Sequence, residues 1–230
     1  MNDQIYLIGD VHGCYKTLCA LIDRLPRGAD SKICFVGDLI DRGEGSFEVV
    51  QLAMQRGYAA VMGNHEYRLL QHKDAFLRGE MPSDLRWFYL NGGAQTFASY
   101  AKASRTQKLA HLEFLSNLPL YLEFAEFKNA QGRRLVASHS AIGRMWALRN
   151  SHGDSAAEFR RHVLCGRGDF SQNEGVFNVY GHTPIGEPDI REFSANIDTG
   201  CVYKHGFGHL CALEFPSMRV FMQENIEESG

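Results

Sequence analysis

Three short blocks hold residues able to do chemistry: Gly9-Asp10-Val11-His12-Gly13, Gly37-Asp38-Leu39-Ile40-Asp41-Arg42-Gly43 and Gly63-Asn64-His65-Glu66. Two separate histidines, His139 and His182, follow far downstream. Asp10 and His12 are spaced to reach one ion from a single loop, and Asp38 offers an anionic oxygen that can bridge two. Asn64 adds a neutral oxygen and the two later histidines add imidazoles. The sets Asp10/His12/Asp38 and Asp38/Asn64/His139/His182 make two mixed nitrogen–oxygen sites sharing one carboxylate. Such sites suit manganese, iron or zinc rather than calcium, and manganese is the first expectation. Two divalent ions about 3.5–4 Å apart would activate a water between them, and phosphate ester hydrolysis is the reaction that most needs this arrangement. Arg42 can hold two phosphate oxygens with its planar fork. His65, next to the expected ligand Asn64, is placed to protonate a leaving group, with Asp41 accepting its other ring N–H.

These residues need a scaffold that delivers them to one place. Apolar runs precede each of them: Ile5–Ile8, Ile33–Val36, Ala59–Met62, Leu135–Ser138, Phe177–Tyr180 and Ala195–Ile197. Each is too short for a buried helix and reads as a strand buried on both faces, with a glycine behind most of them to turn the backbone. Leu18, Leu21, Ile22 and Leu25 fall at helical spacing, as do Phe47, Val50 and Met54. The opening third is therefore β-α-β-α-β with parallel neighbours, and the polar residues fall at the carboxyl edge, where open α/β sheets bind ligands. Residues 66–117 read as a mostly helical insertion or cap, broken at Asn91-Gly92-Gly93, with Trp87, Phe88, Leu90, Phe97 and Tyr100 as its core. From Leu120 the chain turns β-rich, ending in strands at His209–Phe215 and Met218–Met222 and an acidic tail expected to fray from Glu224.

The bulk numbers bound this reading. At 230 residues, with 44% apolar and 22% charged residues, a single domain spanning 1–230 with a real core is expected. A formal charge of −3 gives no case for nucleic acid or an anionic membrane as partner. The polar start Met1-Asn2-Asp3-Gln4 and the short apolar run behind it do not form a signal peptide, so a cytoplasmic location is expected. The six cysteines form no Cys-x-x-Cys pair and read as reduced, mostly packed thiols. The oligomeric state is not encoded in any of these features.

In that order, the three blocks resemble the signature of the phosphoprotein phosphatase family of metallophosphoesterases. Val179-Tyr180-Gly181-His182-Thr183-Pro184 and Ile197-Asp198-Thr199-Gly200 resemble its small bacterial and lambda-phage serine/threonine phosphatases. The resemblance implies a mixed α/β fold: a central β-sandwich of two mixed sheets flanked by helices. It implies the same ligand sets as the donors alone, Arg42 as a phosphate arginine, and His65–Asp41 as the proton donor and its orienting carboxylate. It also implies a second phosphate arginine between the last two histidines, which Arg167 fits best. The implied activity is a serine/threonine protein phosphatase acting on phosphoprotein or phosphopeptide by direct attack of a dimetal-bound hydroxide. The alternative keeps the fold and changes the substrate to a dinucleoside tetraphosphate; Asp41, where that group commonly has alanine, weighs for the monoesterase. A module that has lost catalysis would have lost a ligand or the proton donor, and none is missing. The chain departs from the family pattern at Glu44-Gly45-Ser46, at Ser138-His139-Ser140 and at Lys204-His205-Gly206, where a loop could meet substrate.

Overall fold

The computed structural model describes residues 4–169, 172–203 and 205–227. Met1–Asp3 of the polar start, Lys204 of the candidate substrate loop and the end of the acidic tail lie outside them. The β-α-β-α-β opening is present as β1 (Ile5–Ile8), α1 (Tyr15–Asp23), β2 (Ile33–Phe35), α2 (Ser46–Arg56) and β3 (Ala59–Ala60). Five helices follow: α3 (Asn64–Gln71), α4 (Lys73–Arg78), α5 (Leu85–Leu90), α6 (Gly93–Ser99) and α7 (Arg105–Ser116). The rest contains β4 (Tyr121–Lys128), β5 (Arg134–Ser138), α8 (Gly153–Cys165), β6 (Val176–Tyr180), β7 (Asp189–Ile190), β8 (Ser194–Asn196), β9 (His209–Phe215) and β10 (Arg219–Glu224).

These strands form two mixed five-stranded sheets, ordered β10-β9-β1-β2-β3 and β4-β5-β6-β8-β7. Within the first, β1, β2 and β3 run parallel and β9 pairs antiparallel to β1. Within the second, β5, β6 and β8 are parallel, with β4 and β7 antiparallel at the edges. Alternation of side chains across each strand divides the apolar residues between layers. Ile5, Leu7, Cys34 and Val36 face Leu135, Ala137, Val179 and Ile197 between the sheets. Tyr6, Ile8, Ile33 and Phe35 point the other way, onto Leu18 and Leu21 of α1 and Val49 and Val50 of α2. On the far side of the second sheet, Val136 and Val176 pack on Trp146 and on Phe159 and Val163 of α8. The double-sided apolar runs are thus explained by a helix–sheet–sheet–helix stack. Each fully buried Leu or Ile contributes about 1.5–3 kcal/mol to it.

Two expectations are corrected. Leu90, assigned to the helical core, is 77% exposed, because α5 is only two turns long and turns this face outward. The tail does not fray at Glu224: β10 includes that residue, Asn225 Nδ2 donates to Cys201 O at 2.7 Å, and Thr17 N donates to Glu227 Oε1 at 2.9 Å. Four of the six cysteines, Cys14, Cys34, Cys201 and Cys211, are buried and all six are free thiols. Among the described residues no helix is long and apolar enough to cross a membrane.

Candidate metal centre

The parallel strands of both sheets end at one edge, and the loops that follow converge there. Asp38 Oδ2 is the meeting point. His139 Nε2 lies 3.4 Å from it, His12 Nε2 3.6 Å and His65 Nε2 3.8 Å. Asn64 Oδ1 is 2.9 Å from His139 Nε2, and His182 Nδ1 is 3.1 Å from the same nitrogen. Donor atoms of Asp38, His139 and His182 form one group tight enough for a metal ion, and those of His12, Asp38 and His65 another. The second group differs from the expected Asp10/His12/Asp38 set. Asp10 is buried beside it, accepting the backbone N–H of His182 at 3.2 Å, while His65 takes its place among the grouped donors. First sheet and second sheet each contribute: Asp10, His12, Asp38 and Asn64 follow β1, β2 and β3, and His139 and His182 follow β5 and β6.

Several features fit this cluster to cations. The Nδ1 atoms of His12 and His139 face the carbonyls of Ile40 and Val36 at 2.9 and 3.0 Å. A ring N–H spent on a carbonyl leaves the Nε2 lone pair aimed at Asp38, the arrangement that orients ligating histidines. Acceptors facing acceptors are tolerable only with positive charge between them. The titration of the groups says the same. Burial opposes a charge on His139, yet Asp38 outweighs it and pushes the imidazole up to about 10. Burial also disfavours ionised Asp38, but His139 and His65 hold its carboxyl well below the usual range. Burial and then Asp198 push Asp10 well up, and burial raises Asp198 to about 6. Burial, with Arg42 beside it, keeps His12 neutral by holding it well below its ordinary value, and burial with His139 lowers His182 to about 3. Carboxylates that draw positive charge onto His139, with His12 and His182 held neutral beside them, form a donor set that accepts divalent ions.

Local backbone geometry makes the convergence possible. His12, Asp38, Asp41, Arg42 and His182 all adopt left-handed φ, between 46° and 71°. This conformation is uncommon for residues other than glycine and is tolerated where surrounding structure holds it, often at functional sites. Only some strand-end glycines serve the turn itself. Gly37 has φ of 100°, whereas Gly181 is needed for space, since a Cβ there would collide with Asp10 Oδ1. Glu66 clamps the second and third blocks together: its buried carboxylate accepts the backbone N–H groups of Asp38, Leu39, Ile40 and Gly63 at 2.8–3.3 Å.

The groups expected to handle phosphate surround the cluster. Arg42 contacts His12 Nε2 and lies 3.2 Å from His65 Nε2, and its guanidinium sits 5.4 Å from the Tyr203 ring centre. His65 Nδ1 donates to Asp41 Oδ2 at 2.6 Å. Burial would lower His65, but Asp38 and Asp41 together hold it above its ordinary value. Arg167 is exposed and lines the same cavity as Asp38, Asn64 and His182. Sequence reasoning missed two partners of Asp41: Trp87 Nε1 donates to its Oδ2 at 2.7 Å, and Thr96 Oγ1 donates to its Oδ1. It also missed Arg68 and Arg86 in the cavity wall. Trp87, Thr96 and Arg86 lie in helices distant in sequence from the three blocks, and Arg68, three residues past His65, has the look of any exposed helical arginine. The remaining buried histidine, His111, is held by Tyr100 and Gln51, away from the cluster.

Two stacked mixed sheets, with carboxylates and imidazoles gathered at their common edge, define a metallophosphoesterase. The chain belongs to the calcineurin-like phosphoesterase family, whose model matches residues 4–186. It is 33% identical to the asymmetrical bis(5′-nucleosyl)-tetraphosphatase PrpE of Halalkalibacterium halodurans, over 94% of this chain and 91% of that protein. The protein of that name from Geobacillus thermodenitrificans is 32% identical over the same shares of the two chains. Among solved structures, a candidate diadenosine tetraphosphatase superposes with a TM-score of 0.71 at 19% identity, covering 99% of this chain and 96% of the other. A Saccharomyces cerevisiae protein serine/threonine phosphatase gives 0.59 at 15% identity, covering 99% and 82%. The fold is shared with both. The expectation of a serine/threonine protein phosphatase with a phosphoprotein substrate is overturned by the relatives spanning the whole chain, which carry the tetraphosphatase name. The physical reason lies in Asp41. Its presence was weighed as help for a poor leaving group, but in the structure it also anchors the helical layer through Trp87 and Thr96. That second role is independent of the substrate.

Proposed function

We propose that this chain is a metal-dependent phosphoesterase that hydrolyses dinucleoside polyphosphates, with Asp10, His12, Asp38, Asn64, His139 and His182 holding two divalent ions. The observation that carries the chemistry is the convergence of acceptor atoms from both sheets on Asp38 Oδ2. The substrate class is supported by the relatives at 32–33% identity over nearly the whole chain. Divalent ions bound there supply positive charge to the phosphoryl oxygens and activate water as a nucleophile. Arg42 and Arg167 hold the oxygens of the phosphoryl group under attack. His65, kept protonated and oriented by Asp41, faces the departing oxygen as the acid. Residues 1–230 act as one domain, with the helices of 66–117 capping the site. Manganese is the ion to supply first, with iron and zinc as the alternatives.

The test is a substrate panel with purified, manganese-loaded protein. Diadenosine tetraphosphate is cleaved to unequal products, a nucleoside monophosphate and a triphosphate, far faster than a phosphoserine peptide of similar concentration. Rapid hydrolysis of the peptide with none of the dinucleotide contradicts the reading.

A further inference from the structure

The cavity that opens from Asp38, Asn64 and His182 has a volume of about 460 Å³. Four guanidinium groups line it: Arg42 and Arg167 near the imidazoles, and Arg68 and Arg86 from the helical layer. One phosphoryl group engages the first two together with the metal centre. Nothing in monoester hydrolysis calls for two further arginines in the same wall. Arg68 Nη1 donates to Asp84 Oδ2 at 2.7 Å, and the other oxygen of Asp84 accepts Trp87 N at 3.0 Å, so α3 and α5 are tied together at this wall. Arg86 follows two residues later and has no ion-pair partner among the described residues. Arginine is the side chain suited to phosphate oxygens, because its fork binds two at once and its charge does not titrate.

Resting on the proposed hydrolysis of dinucleoside polyphosphates, we infer that Arg68 and Arg86 bind the phosphates of the departing nucleotide and make the cavity selective for a polyphosphate chain. His65 marks the leaving-group side, and one hydrogen-bonded run joins it to this wall: His65 and Trp87 both donate to Asp41 Oδ2, and Trp87 N and Arg68 both donate to Asp84. The departing piece is then the one richer in phosphate. Water oxygen bonds to the phosphorus nearest one nucleoside, the bond from that phosphorus to its bridging oxygen breaks, and the bridging oxygen leaves with the triphosphate and takes the proton from His65. A side chain contacting only the departing phosphates acts on polyphosphates and has no partner in a simple aryl phosphate.

The experiment compares wild type, Arg86→Gln, Arg68→Lys and the double variant on diadenosine tetraphosphate and nitrophenyl phosphate. Melting temperatures show which variants fold, and Arg86→Gln carries the test alone if loss of the Asp84 pair unfolds the others. The ratio of kcat/KM for tetraphosphate over nitrophenyl phosphate falls about 10-fold in Arg86→Gln, mostly through KM. Calorimetry on chelator-treated protein shows the Kd for inorganic tripolyphosphate weakened by a similar ~10-fold. In water enriched with heavy oxygen the label enters the nucleoside monophosphate. An unchanged ratio and an unchanged tripolyphosphate Kd overturn the inference, as does label in the triphosphate. If wild type cleaves nitrophenyl phosphate but no dinucleotide, the functional reading fails, while tripolyphosphate binding still decides whether the arginines form a polyphosphate site.

Discussion

The strand-end loops and the helical layer over them meet in one cavity, but different forces hold them. The loops are fixed from within: left-handed residues are pinned by backbone contacts and by the four N–H groups converging on Glu66. The helical layer is fixed from outside, by an apolar cluster of Phe76, Trp87, Tyr100 and Leu115, and by the two hydrogen bonds from Trp87 and Thr96 to Asp41. The loops carry the proposed metal ligands, where small displacements are costly. The layer carries groups that touch substrate further from the reacting atoms, where side-chain changes alter selectivity. Asp41 is the joint, since it belongs to the second loop yet is bonded to both His65 and the helices.

If this division holds, substitutions rank by their place in it. Asp38→Asn gives the largest effect, a loss of at least about 10³-fold in turnover together with loss of bound metal, because the shared anionic oxygen is gone. Assays paired with metal analysis of the dialysed protein check both at once. His65→Asn keeps the metals. It lowers turnover of an alkyl phosphate by ~10²-fold or more, and that of diadenosine tetraphosphate by much less, because a departing triphosphate needs less help from an acid. Equal losses on the two substrates would remove His65 from the acid role. Trp87→Phe keeps the ring and deletes one donor to Asp41. A drop of about 10-fold in kcat, with full metal content, is expected if the helical layer orients His65 through Asp41. No change in kcat would break the link drawn here between layer and loop.

Glu214 provides the contrast, since it lies on β9 away from the cluster. Its carboxylate accepts Tyr6 Oη at 2.8 Å, Arg219 Nη2 at 2.6 Å and Ser217 Oγ at 2.5 Å. Burial works against its ionised form, but these partners outweigh it and hold it below its ordinary 4.5. A depressed carboxyl adds stability that is present in full above the unfolded value and is lost as pH falls through the folded one. Glu214→Gln therefore flattens the dependence of Tm on pH below about 4.5 and leaves kcat on diadenosine tetraphosphate at pH 7 unchanged within about two-fold. Thermal melts between pH 3 and 7, with an assay at pH 7, measure both.

The same division decides what could be read from the chain. The gathering of Asp10, His12, Asp38 and Asn64 at one sheet edge was legible because each lies within a few residues of a strand end, where a short apolar run and a glycine announce the loop. Trp87 and Thr96 were not, because their bonds to Asp41 span 46 and 55 residues and leave no spacing to recognise. The grouping of His65 with His12 and Asp38 was missed because left-handed φ at His12 and Asp38 redirects side chains in a way that residue identity does not reveal. Substrate choice was misread from the resemblance of the downstream segments and from the weight given to Asp41. Arg68 and Arg86, proposed to hold a chain of phosphates, are exposed residues of α3 and α5 that no spacing sets apart from other surface arginines. The strands themselves were accessible, because double-sided burial imposes continuous apolar runs, whereas their division into two sheets came from the family resemblance.

Anomalous diffraction from crystals loaded with manganese tests the central claim most directly. Two peaks flanking the Asp38 carboxylate are predicted, one within coordination distance of Asp10 and His12, the other of Asn64, His139 and His182. Ions bound elsewhere, or a manganese-active enzyme with no ion touching Asp38, would contradict it.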